Sequence, residues 1–151
     1  MKKHFDLIRV TRDNVLKVTK DLNIKQLNRI PEGFSNNLVW NTGHIAVTMQ
    51  LLCYGLSGLP MHLSDEQITA YRKGSSPEGE MTPADFDFFC GHLITSVDQL
   101  EADYDNGLFR EFKVYPTSYG LTLHSVEEAI NFDYVHEALH LGYMMALKKL
   151  V

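Results

Sequence analysis

His136-Glu137-Ala138-Leu139-His140 sets two imidazoles four residues apart near the end of a 151-residue chain. On a helix such a pair differs by about 40° in azimuth and about 6 Å in height, so both rings can reach one metal ion. The string reads literally as H-E-x-x-H, the zinc-peptidase motif, with Glu137 as the general base of that chemistry. A third ligand must complete such a site, and its identity separates very different proteins. A metzincin needs a histidine six residues after His140, but position 146 is Ala. The chain left after His140 is too short for the further helix that brings a glutamate ligand in other zincins. A di-iron bundle would use Glu137-x-x-His140 as one half-site, yet the first three helical segments supply no second E-x-x-H with two more helix glutamates. His44 is the better third ligand. With His136 and His140 it gives three nitrogen donors and leaves positions open for water, as a catalytic site requires.

Four helical segments are needed to position these residues. In the first, Ile8, Thr11, Val15, Val18 and Leu22 recur at helical spacing, with Lys and Arg on the other side. The second follows Pro31-Glu32-Gly33-Phe34, with Ser35 or Asn36 as its cap, and runs to about Gly55. The third opens on Thr82, Pro83 and Asp85 and buries Phe86, Phe89, Cys90, Leu93, Val97 and Leu100. Ser125 and Glu128 open the fourth, which runs almost to the end. The stretch between Asn106 and His124 reads as loop, with short strands expected over Phe109 to Tyr115. The fold class that follows is all-α, a four-helix bundle whose connections are too long for a simple up-down topology.

Helices two and four are apolar nearly all round, which marks them as central, so their polar residues need a reason. On helix two Asn37, Asn41, His44 and Thr48 lie within about 60° of one another. On helix four Asp133, His136, Glu137 and His140 interrupt Phe132, Val135, Leu139, Leu141 and Tyr143. Two such stripes, each with histidine, are explained if they face each other across an internal polar pocket. Neutral imidazole is a common ligand for late first-row divalent metals. Gly43 and Gly142 sit beside this patch, and a helix-interior glycine, at about 1 kcal/mol against alanine, suggests close backbone approach.

Composition bounds the rest. The length predicts one domain spanning 1–151, with a substantial core. Apolar residues at 44% and charged residues at 22% are ordinary for a soluble globular protein, and a net charge of −5 argues against a general nucleic-acid binder. Cys53 and Cys90 form no C-x-x-C pair and fall in apolar helical patterns, so buried free thiols in a reducing cytoplasm are expected. The start, Met1-Lys2-Lys3-His4-Phe5-Asp6, meets charge before any apolar core and does not read as a secretion signal. No apolar run reaches about 18 residues, so no membrane span is expected.

Asn37-x-x-Trp40-Asn41-Thr42-Gly43-His44-Ile45, followed by His136-Glu137-x-x-His140-x-Gly142, resembles the DinB-like (DinB/YfiT-like) superfamily. The likeness is to its short single-domain members and extends through Leu56-Ser57-Gly58-Leu59-Pro60 and the Lys73-Gly74 loop. It implies a bundle with long crossovers, often dimeric. It also implies a divalent metal, commonly nickel or zinc, on one histidine of helix two and an H-x-x-x-H pair of helix four, here His44, His136 and His140. Relatives include metal-dependent thiol S-transferases, a thiol-dependent isomerase and hydrolases. The expected function is therefore a metal-dependent enzyme acting on a small molecule, with activated water or a low-molecular-weight thiol. The alternative is a non-catalytic, stress-related bundle that binds metal or a small ligand.

Smaller expectations attach to single residues. Glu137 is a candidate catalytic base, an outer partner of a ligand, or a solvated residue. Asp133, one turn before His136, and Asn41, one turn before His44, are candidates for orienting ligand rings. Trp40 reads as core packing. His4, His62, His92 and His124 have no partner at metal spacing. Tyr115, Thr117 and Tyr119 could cover one end of the bundle. A homodimer is expected from the family likeness and from apolar residues on helix two (Leu51, Leu52, Tyr54, Leu56) and helix four that exceed one obvious groove.

Overall fold

Five of the six α-helices begin where a side chain satisfies the free backbone donors of a first turn; the first, starting after Met1, has no such cap. The computed structural model describes residues 1–151. Its elements are α1 (Lys2–Thr19), α2 (Ile24–Asn28), α3 (Leu38–Met49), a π-helical continuation of α3 (Gln50–Gly55), α4 (Asp65–Tyr71), α5 (Pro83–Asp105), β1 (Tyr115–Pro116), β2 (Thr122–Leu123), α6 (Val126–Leu147) and a 3-10 turn (Lys148–Leu150). Thr82 accepts from the Asp85 amide and Ser125 from the Glu128 amide, as their spacing predicts. The cap of α3 is Asn37, not Ser35 or Asn36, because its Oδ1 reaches the Trp40 amide at 2.9 Å.

Two short helices went unread. Both α2 and α4 carry full capping boxes, Asn23 with Gln26 and Ser64 with Gln67, but are too short to show periodicity. The strands also lie later than expected. Tyr115 pairs with Leu123 and Pro116 with Thr122 in an antiparallel hairpin, while 109–114 is irregular. Thr117 closes the hairpin through its amide and hydroxyl on the Leu121 carbonyl, and Gly120 supplies the positive φ of +91°.

The chain is predominantly helical, and its four long helices pack as a bundle. Both α1 and α3 pack against α5 and α6, so α1 stands diagonally opposite α3, and α5 opposite α6. The connections from α1 to α3 and from α5 to α6 must therefore cross the bundle, which explains their length. No helix is long and apolar enough to cross a membrane.

Between two apolar layers lies a charged one. Phe5, Ile8, Met49, Val97, Leu100 and Ile130 belong to one core cluster; Val15, Val47, Phe89, Leu93, Met144 and Leu147 belong to the other. At the intermediate level Arg12 of α1 is 1% exposed and Glu137 of α6 fully buried. Arg12 Nε and Nη2 donate to Glu137 Oε1 at 2.9 and 2.6 Å, and Nη1 donates to the Leu93 carbonyl and Ser96 Oγ. The spacing of apolar residues puts the basic residues of this helix on its outer side. Arg12 instead shares the buried stripe Phe5, Ile8, Arg12, Val15, Thr19.

Removing one partner of a buried ion pair strands the other charge. Arg12→Met is expected to lower unfolding free energy by about 3–5 kcal/mol, and Arg12→Met with Glu137→Met to recover most of it. Urea unfolding checks both; equal losses in the single and double variants would contradict the pairing.

Candidate metal centre

Helices α3 and α6 are adjacent, and their facing polar residues bring His44, His136 and His140 together. The metal-binding atoms of the three lie within 4.8 Å of one another. His44 Nε2 stands 3.2 Å from His136 Nε2, and the ring centroids are 4.4–5.1 Å apart. Two nitrogens bound to one metal at about 2.0–2.1 Å, with angles between right-angled and tetrahedral, stand about 2.9–3.4 Å apart. The His44–His136 spacing of 3.2 Å falls in that range.

Two of the rings are oriented from behind. Tyr71 is the last residue of α4, where carbonyls lack an intrahelical partner, and His44 Nδ1 lies 2.6 Å from its oxygen. A carbonyl only accepts, so His44 Nδ1 carries the proton and Nε2 presents a lone pair. His140 Nδ1 lies 2.8 Å from Asn41 Oδ1, while Asn41 Nδ2 donates to the Asn37 carbonyl at 2.7 Å. The amide is thereby fixed with its oxygen toward the imidazole, and His140 likewise offers Nε2. The Nδ1 of His136 is buried without a partner. The facing nitrogens of His44 and His136 thus need either a shared proton or a cation, and a divalent metal fits that need. Thr48 Oγ1, at 3.4 Å from His44 Nε2, borders the same point.

Gly43 and Trp40 serve this geometry. A Cβ at Gly43 would stand 2.7 Å from the Tyr71 ring, so glycine lets α4 close on α3 and deliver its carbonyl. Gly142 has no such reason: a Cβ there would meet nothing within 4 Å. The Trp40 ring stacks on His44 at 4.6 Å and 11°, and its indole N–H donates to Ser75 Oγ at 3.1 Å.

The two buried carboxylates of α6, Asp133 and Glu137, turn the other way. Glu137 is engaged with Arg12, and neither Asp133 oxygen bonds an imidazole. Burial, then the neighbouring Glu137, push Asp133 well above the usual carboxylate range, which favours its protonated form beside the Arg12 pair. His4, His62, His92 and His124 take no part in the cluster.

The three histidines share a cavity of about 620 Å³. Its walls are Leu51, Leu52 and Gly55 of the π-helical turn and Leu56 just after it, with Phe132 and Leu139 of α6, and Tyr115, Thr117, Ser118 and Tyr119 line it from the hairpin. The hairpin residues expected to cover one end of the bundle do line this cavity. Leu52 and Tyr54 are buried in the chain's own core, while Leu51 and Leu56 line the cavity, so these four are not surplus apolar surface. Lys73 and Lys113 also line it; the family likeness runs through the Lys73-Gly74 loop without giving Lys73 a role, and no pattern in the sequence points to Lys113.

A helical bundle with three converging imidazoles, two of them oriented from behind, and an open cavity is the class this architecture defines. The chain matches the DinB superfamily over residues 7–144 and belongs to it. No curated protein matches the chain.

Burial is the first cause holding all three imidazoles below their ordinary 6.5, with His140 near 4 and His136 near 2, where the neighbouring rings add to it. Burial also lowers His92, to about 4. Below pH 6.5 an unfolded chain takes up protons that the folded chain refuses, so stability is complete above that value and falls with pH. Asp133, raised rather than lowered, acts oppositely with a single proton. The histidines outnumber it. The melting temperature of metal-free protein is expected to fall steadily from pH 7 to pH 5, and less steeply in His136→Gln. A flat profile would contradict the neutral, buried cluster.

Proposed function

We propose that the chain is a metal-dependent enzyme with one divalent ion, nickel or zinc, held by His44, His136 and His140. The observation that carries this reading is the convergence of three imidazoles, two of them fixed from behind, on one point at the side of a substrate-sized cavity. Such an ion supplies Lewis-acid chemistry, lowering the pKa of a water or thiol so that a nucleophile is present near neutral pH. A thiol co-substrate makes the reaction an S-transfer, water makes it a hydrolysis. The Tyr71 carbonyl and Asn41 hold His44 and His140 in their ligating tautomers, an arrangement typical of outer partners in metal sites. Thr48, beside His44 Nε2, would hydrogen-bond the nucleophile, and the leucine and tyrosine walls would give it an apolar surround. Free Cys53 and Cys90 suit a cytoplasmic location.

We read Glu137 as a positioning residue for α6 rather than a general base, since the side chain is fully buried and its Oε1 takes both Arg12 bonds, while Oε2 has no partner. The purified protein should bind about one nickel or zinc ion per chain. His44→Ala, His136→Ala and His140→Ala should each lose it. Nickel should quench the emission of Trp40, the only tryptophan, in the parent and not in these variants. Glu137→Gln should keep the metal while losing stability. Full stoichiometry in His44→Ala would remove His44 from the site, and a stable, metal-replete but inactive Glu137→Gln would restore the general-base role.

We further propose a two-fold homodimer built on the outer face of α6. Val135 and Met145 are exposed there, with Ala138, Gly142 and Ala146 between them and no charged side chain. Gly142, unexplained within the chain, lets a second helix approach. Sedimentation should give twice the chain mass at micromolar concentration, and Met145→Arg the single mass. A parent protein that sediments as one chain overturns this.

A further inference from the structure

The charge around the histidine cavity is opposite in sign to that of the chain. The protein carries 19 acidic and 14 basic residues, yet no Asp or Glu lines this cavity. Two lysines do, Lys73 and Lys113. All ion pairs of the molecule involve Arg9 or Arg12, so neither lysine is neutralised. The carboxylates closest in sequence to the ligands, Asp133 and Glu137, face Arg12 instead.

Both lysines are held by backbone anchored to the site. Lys73 follows Tyr71, whose carbonyl meets His44, and its loop is tied down by Ser75 Oγ donating to the Ala70 or Arg72 carbonyl and by Trp40 donating to Ser75. The Lys113 amide donates to the Leu56 carbonyl at 2.7 Å, at the end of the π-helical turn. Two exposed lysines thus border one cavity from two independent, pinned segments. Between them the walls are apolar, with Leu51, Leu52, Leu56, Phe132 and Leu139. No arginine fork or helix N-terminus lines the cavity, so the usual bidentate and dipolar devices for phosphate are missing, whereas two point charges on flexible stems suit a single carboxylate.

We propose that Lys73 and Lys113 form the recognition subsite for a carboxylate, and that the substrate is an amphipathic acid whose apolar body lies on the leucine and phenylalanine wall with its reactive centre at the histidines. The assignment of a reactive centre rests on the metal-enzyme reading above; the carboxylate subsite does not. Net positive charge in a low-dielectric cleft concentrates such an anion near the site.

The test is calorimetric binding of 4-phenylbutyrate, 4-phenylbutanol and 4-phenylbutylamine to metal-free protein, which removes direct carboxylate–metal contact. The acid should bind about tenfold more tightly than the alcohol, and the amine more weakly still. Lys73→Glu with Lys113→Glu should abolish the preference for the acid while leaving alcohol binding and zinc stoichiometry unchanged. The milder Lys73→Gln with Lys113→Gln should reduce the preference partway. Equal binding of acid and amine, or an acid preference that survives the double charge reversal, overturns the proposal. Zinc stoichiometry separates the two readings: lysine-dependent acid binding without zinc binding would sink the metal assignment alone, and zinc binding without acid preference would sink this one alone.

Discussion

The azimuth of α6 is the constraint on which the molecule depends. Successive helical residues are turned by about 100°, so Glu137 cannot share a direction with His136 and His140. The Arg12–Glu137 pair uses that fact. It locks α6 against α1, and through the Leu93 carbonyl and Ser96 against α5. With Glu137 drawn to α1, the two histidines are left facing α3. A buried ion pair adds little net stability over a well-packed apolar equivalent, but its directionality rejects rotated packings. In α6, where apolar residues surround the helix almost evenly, little else would distinguish one rotation from another.

The ligand geometry depends on a different economy. A helix ends with carbonyls that lack donors, and α4 is only seven residues long, so the Tyr71 carbonyl comes early to the edge of α3. His44 meets that deficiency with Nδ1–H and thereby exposes Nε2. Asn41 does the same for His140 after using its own amide on the first turn of α3. Groups that any helix end must satisfy are spent on fixing tautomers. Burial then keeps the rings neutral, the state in which imidazole binds metal.

Much of this was legible in the sequence, and the residues show why. The polar stripes of α3 and α6 stood out because the helices around them are apolar, so the three histidines, Asn41 and Thr48 could be placed on facing surfaces. The all-α bundle followed from periodicity and the Thr82 and Ser125 caps. Arg12 was missed because a charged residue on an amphipathic helix is usually solvated, although it sits in register with Phe5, Ile8 and Val15. The Tyr71 carbonyl could not be read at all, since a backbone group leaves no mark in side-chain patterns. Lys73 and Lys113 are ordinary loop lysines until tertiary structure brings both to one cavity. Gly43 and Gly142 look alike in sequence, and only the Tyr71 ring beside the first tells them apart.

The π-helical turn separates two properties of the cavity that proteins often entangle. His44 and Thr48 lie on regular α-helix, while Leu51, Leu52 and Gly55 lie on the wider-wound segment that follows and Leu56 just after it. That segment makes its own i→i+5 bonds, including Leu56 N–H to the Leu51 carbonyl at 3.0 Å, and ends at a glycine turn. Bulk at the partly exposed positions 51 and 56, unlike that of the buried Leu52, can therefore be traded without moving a ligand or its supporting hydrogen bond. Within one fold, the reactive centre can stay constant while the choice of molecule that reaches it drifts.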